Sequence, residues 1–272
     1  MKNVLIFNDI SGLGNCSLSA NLPVLTYLGH YCMPIVTACY SCQTGFENYA
    51  VLPNNRVADF TRRIVANASP NAAYVGFCND SATLNGVIEA VSDVLPAGAY
   101  LFVDPIMGDN GRLYPVFDAR YVDGMKHLVN IADCISPNLT EACLLCGVDY
   151  VELTKHKDEG GYIERCKTKF KDILAITESK SAVITGIAQN DAISNLVFDG
   201  KTVETVTTNR VKIDFSGTGD AFSSALLGKL LNGETLLDAC RAAANFVAAA
   251  AANTQRTDRR FGVDFCKVLN TL

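Results

Sequence analysis

The sequence predicts an α/β protein whose mostly parallel sheet is covered by helices on both faces. Three observations carry this expectation. Short apolar runs such as NVLIF and SAVITG lack the polar alternation of a half-exposed strand, so both of their faces must be buried. Segments with helical hydrophobic spacing separate these runs. Polar and glycine-bearing stretches follow directly after the strands, where ligands bind in such sheets.

The elements follow in chain order. NVLIF (3–7) is the first strand, followed by the polar loop NDISGLGN and the helical stretch CSLSANLPVLTYLG. CMPIVTACY (32–40) is the second strand, followed by the loop SCQTG, and NRVADFTRRIVAN reads as a helix. The strand AAYVGF (72–77) precedes the helix LNGVIEAVSDVL, and the strand AYLFVD (99–104) precedes a loop, DPIMGDNG. ADCIS (132–136) leads into the helix NLTEACLLCG, where Glu141 in the first turn suits the helix dipole. GYIERCKTKFKDILAI is amphipathic, and SAVITG is again a buried strand. DAISNLVFDGKTVETVTT reads as a hairpin turning at Asp199-Gly200. Helices over 218–231 and 234–252 and a short helix in FGVDFCKVLN complete the chain. No repeat or compositional break interrupts the pattern, so residues 1–272 are expected to form one domain.

Composition narrows the function. A net charge of −5 and the absence of a basic patch argue against nucleic acid or an anionic membrane as partner. The amino-terminal apolar run is too short for a signal peptide, which predicts a cytoplasmic protein whose 11 cysteines stay reduced. The pairs Cys39/Cys42 and Cys143/Cys146 lie too far apart for a zinc ribbon, and no histidine is near either pair. Buried apolar thiols explain them better.

The stretch DFSGTGDAF (214–222) poses the chemical question. Gly217 and Gly219 flank Thr218 at a helix start, where free amides bind anions and a missing side chain lets phosphate approach. Asp220 would repel phosphate, unless it faces a hydroxyl that loses its proton while attacking phosphorus. Helix capping by Thr218 and Asp220 is the alternative that needs no ligand. Asp104 and Asp109 in DPIMGDNG and Glu141 in NLTE supply carboxylates past successive strands, a pattern suited to a divalent cation. Turn and cap roles remain open for each. NDISGLGN lacks the lysine of a phosphate-binding P-loop and the third glycine of a dinucleotide fingerprint. That omission argues against a nicotinamide oxidoreductase.

Together and in this order, NDISGLGN, SCQTG, DPIMGDNG, SPNLTEA and GTGDAF resemble the ribokinase-like superfamily of small-molecule kinases, and within it the pyridoxal (vitamin B6) kinases. The resemblance spans nearly the whole chain. It implies a three-layer α/β/α sandwich, ATP as co-substrate, Mg²⁺ as cofactor, and often a potassium requirement and a homodimer. Asp220 would accept the proton of the substrate's hydroxymethyl group, with Gly217, Thr218 and Gly219 as anion hole. Asn138 and Glu141 match an N-x-x-E element that organises Mg²⁺ through water, and Asp104 matches an aspartate near the ATP phosphates and metal. Asp109 is a weaker match in the same loop, and Thr185 and Gly186 match a pair near the nucleotide. Thr44 and Gly45 match a substrate-ring contact.

Two departures bear on the substrate. Asn8 or Asp9 stands where many pyridoxal kinases carry a serine, and Phe77 stands where others have a tyrosine over the pyridine ring. The D-x-S-G-x-G pattern of Asp9–Gly14 is also similar to the hydroxymethylpyrimidine kinases of thiamin synthesis, which usually place a cysteine at the position of Asp220. The expectation is therefore a kinase for B6 vitamers, with the pyrimidine kinase as alternative. A non-catalytic vitamin sensor would not need the full catalytic set. Two electrostatic expectations accompany this reading: the helix dipole should lower the pKa of Asp220, and the strand-end loops offer no arginine cluster to balance ATP.

Overall fold

A computed structural model describes residues 1–272. The first half comprises β1 (Asn3–Ser11), α1 (Leu18–Tyr27), β2 (Tyr31–Tyr40), β3 (Val51–Pro53), α2 (Val57–Val65), β4 (Ala72–Val75), α3 (Ser81–Glu89), β5 (Tyr100–Val103), a small hairpin of β6 (Gly108–Asp109) and β7 (Arg112–Leu113), and α4 (Ala119–Asn130). The second half comprises β8 (Cys134–Ile135), α5 (Leu139–Cys146), α6 (Tyr150–Thr154), α7 (Tyr162–Phe170), α8 (Ile173–Thr177), β9 (Ser181–Gln189), β10 (Ala192–Phe198), β11 (Val203–Asn209), α9 (Thr218–Leu231) and α10 (Leu236–Asn253).

Nine strands form one sheet in the order β11-β10-β9-β8-β5-β4-β1-β2-β3. The six from β9 to β2 run parallel, and β3, β10 and β11 are antiparallel additions at the edges. Both faces are buried, as the lack of alternation predicted: Leu5 and Phe7 of β1 enter one core, while Val4 and Ile6 enter the other. The chain is thus a three-layer α/β/α sandwich, the architecture that the resemblance implies, with α1, α9 and α10 on one face and α2 to α5, α7 and α8 on the other. Strand order turns around at β1, which lies between β4 and β2. The loops beyond β1, β4, β5 and β8 therefore converge on one crevice.

The structure differs from the sequence reading in several places. β1 continues four residues past Phe7, so Asn8 and Asp9 belong to a strand rather than to a loop, with a register break against β2 between Asn8 and Ile10. Pairing of Asn8 with Val36, Ile10 with Cys39 and Ser11 with Tyr40 on the ten-residue β2 carries the strand through this polar stretch, which local propensity could not foresee. The AAYVGF strand stops at Val75, before Phe77. The amphipathic run 161–176 splits into α7 and α8. The final helix is two 3₁₀ segments, Arg259–Phe261 and Cys266–Thr271.

α4 was not anticipated, although Asp118 caps it by accepting from the Tyr121 N–H (3.1 Å), and Tyr121, Met125, Leu128 and Val129 form its buried stripe. Gly124 obscured it: a glycine that reads as a helix breaker lets α4 pack closely, with Leu84 of α3 3.0 Å from where a Cβ would stand. The β6–β7 hairpin likewise replaces the loop expected over DPIMGDNG; Asn110-Gly111 is a strong hairpin signal, and both residues take positive φ (51° and 76°). No helix is long and apolar enough to cross a membrane.

Candidate active site

At the end of β1, Asn8 is completely buried. Its Nδ2 donates to Asn21 Oδ1 (2.7 Å) and Asp220 Oδ1 (3.2 Å), and its Oδ1 accepts from the backbone N–H of Phe77 (2.9 Å). Asp9 is buried as well and accepts from the Ser11 hydroxyl (3.3 Å). Burial and the charge of Asp220 raise the Asp9 carboxyl to about 7.

The GTGD turn starts α9. Gly217 is the cap residue at φ 77°, and a Cβ there would stand 1.9 Å from the Asn15 carbonyl oxygen. Gly219 is its opposite: a Cβ there would meet nothing within 4 Å. The Thr218 hydroxyl turns back to the Phe215 carbonyl (3.2 Å), so it does not cap the helix. Asp220 is buried, and burial raises its pKa against the lowering effect of hydrogen bonds from Ser17 and Asn8. The expected downward shift is thus reversed, because desolvation outweighs the helix terminus. The shift brings the carboxylate closer to the working range of a general base.

Asp104 and Glu141 are both buried. Asp104 accepts from the Tyr74 hydroxyl (3.1 Å). Glu141 accepts from two backbone groups, Met107 N–H at Oε1 (3.1 Å) and Asn138 N–H at Oε2 (2.8 Å), while Asn138 Oδ1 accepts from the Glu141 N–H (3.0 Å). This capping box satisfies the start of α5. Asn138 also donates to the Gly108 carbonyl (2.9 Å), tying the β6–β7 hairpin to α5. Burial raises both carboxyls, and each is pushed further by a neighbouring carboxylate: Asp104 by Asp220, Glu141 by Asp104. None of Asp9, Asp104, Glu141 and Asp220 is stabilised by a lysine or arginine charge. Four buried carboxylates without a cation form a site that calls for positive charge or protons from its ligands.

The other predicted residues divide. Phe77 lies in an aromatic wall with Tyr40 (centroids 6.1 Å apart) and Phe117 (5.5 Å), and Tyr40 donates to Asn79 Oδ1 (2.5 Å). Thr44 and Gly45 lie exposed in the loop after β2, where Gly45 N–H donates to Gln43 Oε1 (2.9 Å). Asp109 is exposed and accepts from the N–H of Asn110 (2.8 Å), which makes it a hairpin-turn residue. Thr185 pairs with Asn138 through its N–H to the Pro137 carbonyl (2.9 Å). Gly186, at φ 72°, has open space where a side chain would be.

Sequence reasoning missed Tyr40, Asn21 and the segment after α10. That segment packs on the GTGD turn: Ser216 N–H donates to the Arg259 carbonyl (3.2 Å), and Val263 N–H donates to the Ser216 carbonyl (3.1 Å). It carries Arg256, Arg259 and Arg260; Arg256 lies over the Phe261 ring, and Arg260 pairs with Asp258 and lies over Phe46. The clustered arginines in TQRTDRRFG were a visible signal, but nothing local tied them to residue 216.

The family described as phosphomethylpyrimidine kinase matches residues 13–263. The chain belongs to this family. It is a pyridoxal-kinase-like protein of the ribokinase-like superfamily, a phosphotransferase with an alcohol group as acceptor. The pyridoxal kinase PdxY of Rubrobacter xylanophilus is 26% identical over 270 residues, covering 95% of this chain and 89% of that protein. The chloroplastic thiamine biosynthetic bifunctional enzyme TH1 of Arabidopsis thaliana is 23% identical over 87% of this chain, and the chain spans only 44% of its length. A candidate phosphomethylpyrimidine kinase from Bacteroides thetaiotaomicron, crystallised with pyridoxal, is 28% identical with a TM-score of 0.85, covering 99% of this chain and 94% of that one.

Proposed function

We propose that the protein transfers the γ-phosphoryl group of ATP to the 5′-hydroxymethyl group of pyridoxal, pyridoxine or pyridoxamine, with residues 1–272 acting as one kinase domain. The observation that carries the reading is the pairing of Asp220, buried without a cation, with the open space at Gly219. A hydroxyl held at Asp220 faces phosphorus at the amides of the first turn of α9. As its oxygen bonds to the γ-phosphorus, the bond to the bridging oxygen breaks, the hydroxyl proton passes to Asp220, and ADP leaves. Because the transition state is loose, Asp220 serves as much to aim the hydroxyl as to deprotonate it.

Asp104 and Glu141 fit Mg²⁺, since both are buried hard oxygen donors, with Glu141 raised by the charge of Asp104 and Asp104 by that of Asp220. Both oxygens of Glu141 already accept backbone amides, which favours a hold through water. The ion would offset phosphate charge. The wall of Tyr40, Phe77 and Phe117 supports a flat aromatic acceptor, and Asp9 supports one with a protonated ring nitrogen or another donor at its edge.

Hydroxymethylpyrimidine is the second reading, favoured by the description of the matching family. A coupled ADP-release assay with the three B6 vitamers and hydroxymethylpyrimidine tests both. Turnover with a B6 vitamer at least about tenfold above that with the pyrimidine is expected. A preference for the pyrimidine would replace the first reading with the second. Sedimentation and cell fractionation test the homodimer and the cytoplasmic location that accompany this reading.

A further inference from the structure

Asn8 lies too deep to touch a substrate ring. Its Oδ1 accepts two backbone N–H groups, from Asp9 (3.0 Å) and Phe77 (2.9 Å). Backbone N–H groups only donate, so the orientation of the amide is decided and Nδ2 must point away from them. On that side Nδ2 donates to Asn21 Oδ1 on α1 (2.7 Å) and to Asp220 Oδ1 on α9 (3.2 Å). Asn21 Nδ2 donates to Ser224 Oγ (2.8 Å), one turn beyond Asp220 on the same helix. The chain Asp220–Asn8–Asn21–Ser224 thus leaves α9, crosses β1 and α1, and returns to α9. Gly76 leaves room for it, since a Cβ there would lie 2.7 Å from Asn8 Nδ2.

We propose that Asn8 is a positioning residue for phosphoryl transfer, whose amide fixes one carboxylate oxygen of Asp220 so that the other faces the substrate hydroxyl. The proposal rests on the kinase reading. A neutral donor suits this place, because a cation would hold Asp220 too firmly ionised and an acid would repel it. The same amide holds the backbone of Phe77, so the ring wall and the base are set relative to one group. Loss of the Nδ2 donor alone, with Oδ1 still holding Phe77, therefore falls on kcat rather than on KM.

A double-mutant cycle tests this. Asn8→Asp keeps the shape and both backbone contacts and removes the donor. In the otherwise native enzyme it should lower kcat about tenfold or more, with KM for the vitamer and for ATP within about twofold. In the Asp220→Asn background the further loss should stay within about twofold, because an amide at 220 donates to an acid at 8. Asn8→Ser, run through the same cycle, guards against a folding defect of Asn8→Asp. Equal losses in both backgrounds, or a loss confined to KM, would overturn the positioning role while the kinase reading stands. A native enzyme that releases no ADP with any of the four acceptors would remove the kinase reading, and this role with it.

Discussion

The two ends of the crevice are built on different principles. At the proposed ring end, side chains shape the surface: Asn8 is saturated by four hydrogen bonds, Asp9 is buried, and Phe77 meets Tyr40 edge to face and Phe117 at a tilt of 43°. At the proposed phosphate end, the backbone does so: a left-handed Gly217, an open Gly219 and amides without a side-chain cap at the start of α9. In the proposed function, side-chain identity would select the ring, whereas backbone shape would accept any phosphate. Both departures from the pyridoxal-kinase pattern accordingly lie at the ring end, and the GTGD turn is intact. Asp220 lies between the two ends and belongs to both, through Asn8 on one side and its helix on the other.

The largest expected effect comes from this junction. Asp220→Asn should fold and bind ATP normally but lose at least about 100-fold in kcat. Near-native turnover in a steady-state assay would remove Asp220 from the chemistry and leave two unconnected ends.

The two glycines sharpen the contrast within the phosphate end. Gly219→Val should lose about 100-fold or more in activity with its melting temperature nearly unchanged, since a side chain there meets only the space left for phosphate. Gly217→Val should instead lose more than about 3 kcal/mol of stability, because its Cβ runs into the Asn15 carbonyl and its φ is left-handed. Melting and kinetics on both variants check this, and an active Gly219→Val enzyme would reduce the turn to a helix cap.

Glu141→Gln probes the metal. The Mg²⁺ concentration for half-maximal rate should rise about tenfold, while KM for the vitamer stays level and excess chelator abolishes turnover of the native enzyme. A shift in the vitamer's KM alone would move Glu141 to the ring end.

The smallest effect concerns stability at the ring end. The carboxyl of Asp9 is raised from 3.8 to about 7 in the folded state. Between these values the folded protein binds more protons than the unfolded chain, so stability falls as pH rises, and the full penalty is present above pH 7. Asp9→Asn escapes it and should be the more stable protein at pH 8, with the gap shrinking by about 2 kcal/mol on going to pH 5. Denaturant melts at the two pH values decide it. A gap that widens toward acid would mean that Asp9 is ionised and paired.

Much of the GTGD turn and of the start of α5 was legible because each is local. GTGD spells out its own backbone geometry, and N-x-x-E its own capping box, within a few consecutive residues. The parallel sheet was legible for a similar reason, since runs such as NVLIF and SAVITG have continuously apolar interiors, VLIF and AVI, with no alternating polar residue to turn toward water. α4 and the β6–β7 hairpin were legible too, but the first was obscured by Gly124 and the second by the expectation of a ligand loop.

What only the tertiary structure decided is long-range. Asn8 meets Asp220 across 212 residues and Asn21 meets Ser224 across 203, so no window of sequence relates them. The segment after α10 meets the GTGD turn through backbone bonds between Ser216 and residues 259 and 263, which no local pattern foretells. The pKa of Asp220 is decided in the same way. The helix terminus, visible in sequence, lowers it, but the burial imposed by β1, α1 and α9 raises it further, because desolvation of a carboxylate depends on everything packed around it.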